Sequence, residues 1–152
     1  MDTVTLFICH FKAPYPDPAK ARAIRTAEAR AVRRIIEMRS PGPSRDRWIL
    51  LGDFNEPASD KTVANSSLDV FRDGFAIDLF DRLQPDQDWT FEVPDTHVHS
   101  RPDRILVSQA IADDYPDVRP TIVRSGMKKV HSFANLARAS DHALVFADFP
   151  GL

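Results

Sequence analysis

Asp53 and Asn55 stand one residue apart in Gly52-Asp53-Phe54-Asn55, directly after the apolar run from Trp48 to Leu51. Asp103 heads the phrase Asp103-Arg104-Ile105-Leu106-Val107. Asp141 and His142 come in Ser140-Asp141-His142, just before the apolar run from Ala143 to Phe149, and His10 closes the run from Val4 to Cys9. Carboxylates, an amide and two imidazoles therefore sit where apolar runs begin or end. At such places a buried sheet hands side chains to a cleft at its edge. These groups suit a site that holds a hard metal ion and cuts a phosphate ester.

Each group has an ordinary reading as well. Residues two apart in an extended segment face the same side, so Asp53 and Asn55 can point into one site; the same pair also makes an Asx turn that caps a loop. His142 has an intrinsic pKa suited to moving a proton near neutrality, and Asp103 is a fitting acceptor to orient it. Asp141 offers oxygen to a hard cation such as Mg²⁺. Asp141 and His142 could equally be surface polar residues, Asp103 and Arg104 a weak ion pair, and His10 a satisfied histidine at a strand end. Chance explains one such group well but four at the edges of apolar runs poorly.

The elements that must position these groups follow from apolar pattern and turn residues. Val4 to Phe11 reads as a buried strand, and Asp17-Pro18 as an N-cap followed by proline at the first helical position. From Ala19 to Arg39 the apolar residues Ile24, Ala27, Ala31, Ile35 and Met38 recur at steps of three and four, which predicts a long helix buried along that stripe. Its cations, Lys20, Arg22, Arg25, Arg30, Arg33, Arg34 and Arg39, read as the solvated outer face rather than a track for a phosphate backbone. Further strands are expected at Trp48 to Leu51, Phe75 to Leu79, Trp89 to Val93, Ile105 to Val107, Val118 to Val123 and Ala143 to Phe149. A weak helical pattern falls within 60–73 and a short helix near Gln109 to Asp114. The chain reads as α/β and as a single domain over 1–152, with a helical crossover joining its first two strands.

Bulk properties narrow the class. The chain has 152 residues, 43% of them hydrophobic and 28% charged, with a net charge of −2. It lacks the overall basic signature of a nucleic-acid binder. Its one cysteine, Cys9, excludes an intrachain disulfide and reads as a buried, inert thiol. No apolar run is long enough to cross a bilayer, and the first residues do not resemble a signal peptide, so the expected compartment is the cytoplasm.

The phrases taken together resemble the endonuclease/exonuclease/phosphatase superfamily, the deoxyribonuclease I-like fold. Its members share a strand ending in His and often followed by Lys, as in His10-Phe11-Lys12, and the Gly-Asp-Phe-Asn phrase. They also share a Thr-bearing strand like Trp89-Thr90-Phe91, an Asp before an Ile-Leu-Val strand, and a closing Ser-Asp-His. All occur here in family order, from about Thr3 to Phe149. The resemblance implies the C-terminal portion of a four-layer α/β/β/α sandwich and a divalent-metal phosphoesterase mechanism. It implies that His142 is the general base or contacts phosphate, oriented by Asp103. Asp53 and Asn55 position the attacking water and the phosphate, with Asp53 also a metal ligand. Asp141 helps hold the ion, Mg²⁺ with Mn²⁺ as substitute, and His10 contacts the scissile phosphate.

The family's first-strand Asn and metal-binding Glu lie upstream of the position of His10, as does roughly the first half of its sandwich. Glu28 and Glu37, on the helix after His10, are in the wrong place to replace that Glu. The expected activity is hydrolysis of a phosphodiester or phosphomonoester, in a nucleic acid, a phospholipid head group or a small molecule. The rival expectation is a non-catalytic or truncated module that binds phosphate ligands or a partner half-domain. Half a sandwich also invites self-association or pairing with an N-terminal half. Among weaker signals, His97 and His99 read as surface-loop residues. Lys128, Lys129 and His131 stand in a loop before Ser140 that could touch substrate.

Overall fold

The computed structural model describes residues 3–42, 45–56, 66–94, 96–127 and 140–152. Lys128, Lys129 and His131, and residues 60–65 of the 60–73 segment, lie outside the described residues. Strand β1 (Thr5–His10) leads through helix α1 (Pro18–Arg39) to β2 (Trp48–Asp53), and the two strands pair in parallel, as a helical crossover requires. Asp17 caps α1 by accepting from the Lys20 amide at 3.0 Å, with Pro18 in the first turn. A 3₁₀ segment (Ser67–Phe71), a two-residue strand β3 (Ile77–Asp78) and a second 3₁₀ turn (Leu79–Arg82) follow. Next come β4 (Phe91–Val93), β5 (Val98–Ser100), β6 (Asp103–Val107), α2 (Gln109–Asp114), β7 (Thr121–Val123) and β8 (Leu144–Phe146).

The main sheet has the order β1-β2-β6-β3, while β4-β5 and β7-β8 form separate two-stranded sheets. Its two faces are covered by different elements. On one, Trp48, Leu50 and Leu106 pack with Phe54, Phe71 and Phe75 against Ala29 and Ile36 of α1. On the other, Ile49, Ile105 and Val107 pack with Leu79, Phe80 and Ile111, and Ile122 of β7 and Val145 of β8 close over them. The layering is helix on sheet on hairpin. Among the described residues no helix is long and apolar enough to cross a membrane.

Several expectations need correction. The buried stripe of α1 is Ala21, Arg25, Ala29 and Ile36, with Val32 partly buried beside them. Ile35 and Met38 are 45% and 66% exposed, and Ala27 and Ala31 lie on the open side. Small alanines let the helix approach the sheet closely, and one of the supposed outer cations lies beneath it. Arg25 is only 1% exposed: its Nη1 donates to the Lys12 carbonyl at 3.2 Å and its Nε stands 3.5 Å from Glu56 Oε2. Glu56 in turn accepts from the Ser66 hydroxyl at 2.8 Å and from the Ser67 hydroxyl. The strand expected over Phe75 to Leu79 shrinks to Ile77–Asp78, because Asp78 accepts from the Phe80 amide at 3.0 Å and starts a 3₁₀ turn. His99, read as a loop residue, belongs to β5 and stacks on Trp89 at 4.0 Å between ring centroids.

Gly52 lies where the β1 backbone leaves no room for a side chain on β2. It has φ +140, and a Cβ there would lie 1.9 Å from the Cys9 carbonyl oxygen. Gly52→Ala is expected to lower stability by at least about 2 kcal/mol, from strain and clash together, as read by urea unfolding. Arg25→Met leaves Glu56 buried without its cation and is expected to cost about 3–5 kcal/mol. The double variant R25M/E56Q should recover part of that loss in the same measurement. Equal stability of the two variants would show that the ion pair does not hold these segments together.

Candidate active site

Strand register builds the site. His10 pairs with Asp53, and Asp53 with Asp103, so all three occupy one rung at the end of β1, β2 and β6. Cross-strand partners share a face. The rung continues the rows Leu6-Ile49-Val107 and Ile8-Leu51-Ile105 on the face opposite α1. The sheet thus changes from apolar to ionisable at one end. Gly52, just before the rung, lets β1 lie against β2 there.

Asp53 and Asn55 meet, but not through an extended backbone. Asn55 has φ 49, a left-handed conformation that asparagine tolerates, and its amide N–H donates to Asp53 Oδ1 at 2.8 Å. That is the Asx turn. The same turn brings Asn55 Nδ2 to Asp53 Oδ2 at 3.1 Å and to the Phe11 carbonyl at 3.0 Å, fixing both side chains. The structural and functional readings of this pair are therefore the same geometry. His10 Nε2 stands 3.5 Å from Asp53 Oδ2 while its side chain remains 75% exposed. Burial pushes the Asp53 carboxyl above its ordinary value, and the nearby Asp103 carboxylate pushes it further, against the lowering effects of the Asn55 amide and both histidines.

Asp103 joins the rung to the last strand. Its Oδ2 accepts from the Thr90 hydroxyl at 2.6 Å and lies 2.8 Å from His142 Nδ1. Thr90 is fully buried; its N–H donates to the Ser100 carbonyl and its own carbonyl accepts from the Ala143 amide at 2.8 Å. Phe91 forms an isolated bridge with His142, and their rings lie 5.0 Å apart. The β4 end therefore holds both the acceptor of the imidazole and the backbone that carries it. With Nδ1–H donated to Asp103, Nε2 is the free nitrogen of the neutral ring. The hydrogen bond to Asp103 raises the His142 pKa above 6.5; burial opposes this, and Asp103, Asp53 and Asp141 charges support it.

Asp141 is exposed and sits next to His142 in sequence. Asp53 already uses both oxygens on Asn55. Among the described residues no group of three or more His, Cys, Asp or Glu side chains is placed to hold a metal ion. These donors alone do not make a hard-cation site, which takes oxygen ligands in near-octahedral array. Cys9 lies on the α1 side, half-buried rather than buried; its thiol is pushed up to about 12 by burial and by the Asp53 and Glu28 charges, so it is inert. Lys12 points elsewhere, its Nζ donating to the Ala13 and Tyr15 carbonyls. His97 pairs with Glu92 at 2.8 Å rather than with His99.

Sequence reasoning missed Phe91, Glu56 and Arg25. The signal for Arg25 is in the sequence: Ala21, Arg25, Ala29, Val32 and Ile36 follow helical spacing as well as Ile24, Ala27, Ala31, Ile35 and Met38 do.

No family model matches the chain, and no curated protein matches it. Solved structures do. Truncated TDP2 of Caenorhabditis elegans matches with a TM-score of 0.61 and 19% identity, over 96% of this chain and 54% of that one. The mannosyl-6-phosphatase of Bacteroides thetaiotaomicron matches with a TM-score of 0.59 and 25% identity, over 95% and 51%. An endonuclease/exonuclease/phosphatase family protein of Bacteroides thetaiotaomicron matches with a TM-score of 0.58 and 22% identity, over 92% and 46%. The chain spans about half the length of the structures it matches. Its fold is that of the C-terminal part of the deoxyribonuclease I-like sandwich, as the sequence resemblance implied.

The His142–Asp103 pair carries a signed pH dependence. Because the folded pKa of His142 is raised, its contribution to stability is complete below 6.5 and fades as pH rises through the folded value. Asp103→Asn should bring the imidazole pKa down, read by NMR titration of the His142 ring protons, and flatten that dependence. An unchanged titration would show that Asp103 does not set the ring's charge.

Proposed function

We propose that this chain, as one part of a deoxyribonuclease I-like sandwich over residues 1–152, carries part of the active centre of a divalent-metal-dependent phosphoesterase. The observation that carries the reading is the join between two groups of polar side chains. Thr90, Asp103 and His142 form a hydrogen-bonded chain, and the same Asp103 stands in register with Asp53 and, beyond it, His10. Orienting an imidazole through one nitrogen and leaving the other free is the arrangement of a proton-transferring or phosphate-contacting histidine.

The chemistry is addition of water to phosphorus with loss of the ester oxygen. Its demands are a positioned water, donors to the phosphoryl oxygens and a proton for the leaving oxygen. His142 is oriented by Asp103, and its raised pKa enlarges the protonated share near neutrality. The neutral ring can take a proton at Nε2 and the imidazolium can donate one to a phosphate oxygen or leaving group, so the oriented ring suits either the general-base or the phosphate-contacting role. Asp53 and Asn55, locked together, are suited to orient water and contact the phosphate, and exposed His10 extends the donors along the rung. Mg²⁺, or Mn²⁺ in its place, would supply Lewis-acid stabilisation of phosphoryl charge, and Asp141 and Asp53 are the residues that would help to hold it.

The substrate classes that fit are a phosphodiester or phosphomonoester in a nucleic acid, a phospholipid head group or a small molecule. Among the matched structures are a mannosyl-6-phosphatase and a TDP2 complexed with single-strand DNA product, which fit a small phosphate ester and a nucleic acid respectively. A second reading rests on the lack of a three-ligand metal group among the described residues: a module that binds phosphate ligands without cleaving them.

Assays with bis(4-nitrophenyl) phosphate and 4-nitrophenyl phosphate in Mg²⁺ or Mn²⁺ separate the two. Phosphoester hydrolysis should fall about 10²–10⁴-fold in His142→Ala, the range for loss of an acid–base residue. Hydrolysis unaffected by that change would sink the proposed site. Absent hydrolysis, with no metal binding by calorimetry, would favour the binding module.

A further inference from the structure

On β6 the residue after Asp103 faces the other way. Asp103, Ile105 and Val107 lie on the face opposite α1, so Arg104 and Leu106 lie on the α1 side. Arg104 is only 3% exposed, yet it lines a cavity of about 260 Å³. Leu68, Phe71, Ala76 and Leu106 make the apolar wall of that cavity. None of these residues belongs to the polar rung.

The Arg104 guanidinium is only half used. Its Nη1 donates to Asp78 Oδ2 at 2.8 Å. Its Nε is buried without a hydrogen-bond partner among the described residues, and Nη2 makes no bond there either. Nε and Nη2 form the side-on edge of the group, the fork that takes both oxygens of a carboxylate or phosphate. A buried donor of this kind is costly to leave unpaired. The acceptors around it are engaged elsewhere. Asp78 Oδ1 takes the Phe80 amide at 3.0 Å. Glu56 gives Oε1 to the Ser66 hydroxyl and the Ser67 amide, and Oε2 to the Ser67 hydroxyl, with Arg25 Nε 3.5 Å away. Asp81 is exposed and holds Arg101 Nη2 at 3.0 Å. Arg101 leaves a second buried Nε without a partner in the same lining.

We propose that this cavity binds a small organic acid, with its carboxylate on the Nε–Nη2 edge of Arg104 and its apolar part against Leu68, Phe71, Ala76 and Leu106. Charge and size select that class. The lining acids Glu56, Asp78 and Asp81 oppose a phosphate dianion more strongly than a single negative charge. An inorganic ion would also leave the apolar wall against water. Pockets for drug-sized ligands run to about 300–1,000 Å³, so the occupant is smaller than these. The site lies across β6 from Asp103 and does not depend on the proposed function.

Benzoate is the probe, benzamide its neutral match in shape, and inorganic phosphate the anion without an apolar part. Titrated into the isotope-labelled chain and followed by NMR, benzoate should give saturable shifts of the Arg104 Nε–H and of the Ala76 and Leu106 amides. Benzamide and phosphate should each bind at least about tenfold more weakly. Arg104→Lys keeps the charge but removes the fork, and should weaken benzoate by at least about tenfold. Ala76→Leu fills the cavity from its apolar wall, touches no ionic group, and should abolish binding. Unchanged hydrogen exchange of the β6 amides shows that each variant still folds. The proposal is overturned by benzoate shifts that do not saturate or that map elsewhere, by benzamide binding as tightly, or by phosphate binding more tightly. Binding that survives Ala76→Leu in a folded chain overturns it as well. The comparison of benzoate with benzamide on the unaltered chain decides even where a variant fails to fold.

Discussion

The register of three strands is the constraint on which the rest depends. With β2 in the middle, a parallel pairing to β1 and an antiparallel pairing to β6 place His10, Asp53 and Asp103 on one rung. A slip of one residue in either pairing would turn an acidic group toward the wrong face and an apolar one into the cleft. Two devices hold the register. Below the rung, Ile49, Leu51, Ile105 and Val107 gain from burial only on the face away from α1. At the rung, Gly52 has no Cβ to push the Cys9 carbonyl away.

The segments leaving the strands are fixed by charge rather than apolar packing alone. Arg25 reaches from α1 to the Lys12 carbonyl after β1 and to Glu56 after β2. A buried pair of this kind contributes little net stability against a well-packed apolar alternative. It does couple two chain exits to one helix. Asp103 couples in the same way on the other side, because a single carboxylate oxygen receives both the Thr90 hydroxyl and the His142 ring. The imidazole position is therefore set by β4 and β6 together, although it is carried by the segment before β8.

Legibility in the sequence divides along physical lines. The positions of β1, β2, β6 and α2 were readable because apolar runs and N-cap residues report local backbone preference. The order of the polar phrases also sufficed for the fold resemblance. The buried side of α1 was not readable, since two stripes both follow steps of three and four and the discriminating partner, Glu56, is distant in sequence. β5 was hidden in a polar stretch, as its pairing with β4 and the Trp89–His99 stack, not its own apolarity, make it a strand. In the site, Asp103 as the orienter of His142 followed from chemistry. The meeting of Asp53 and Asn55 was expected for the wrong backbone: a left-handed Asn, not an extended segment, closes the pair.

The remaining asymmetry concerns where polarity and exposure coincide. At Asp103 and His142 the site is walled by Thr90 and Phe91, and hydrogen bonds there act in a partly desolvated setting, which strengthens them. At His10 the same rung opens to water, beside Leu6 and Ile8, which gain nothing from exposure. Preorganised hydrogen-bond donors act most strongly in a water-poor cleft. The closed end has that character and the open end lacks it. The surface that leaves apolar side chains uncovered and the one that leaves the site wet are the same edge of β1, so whatever covers the first also encloses the second.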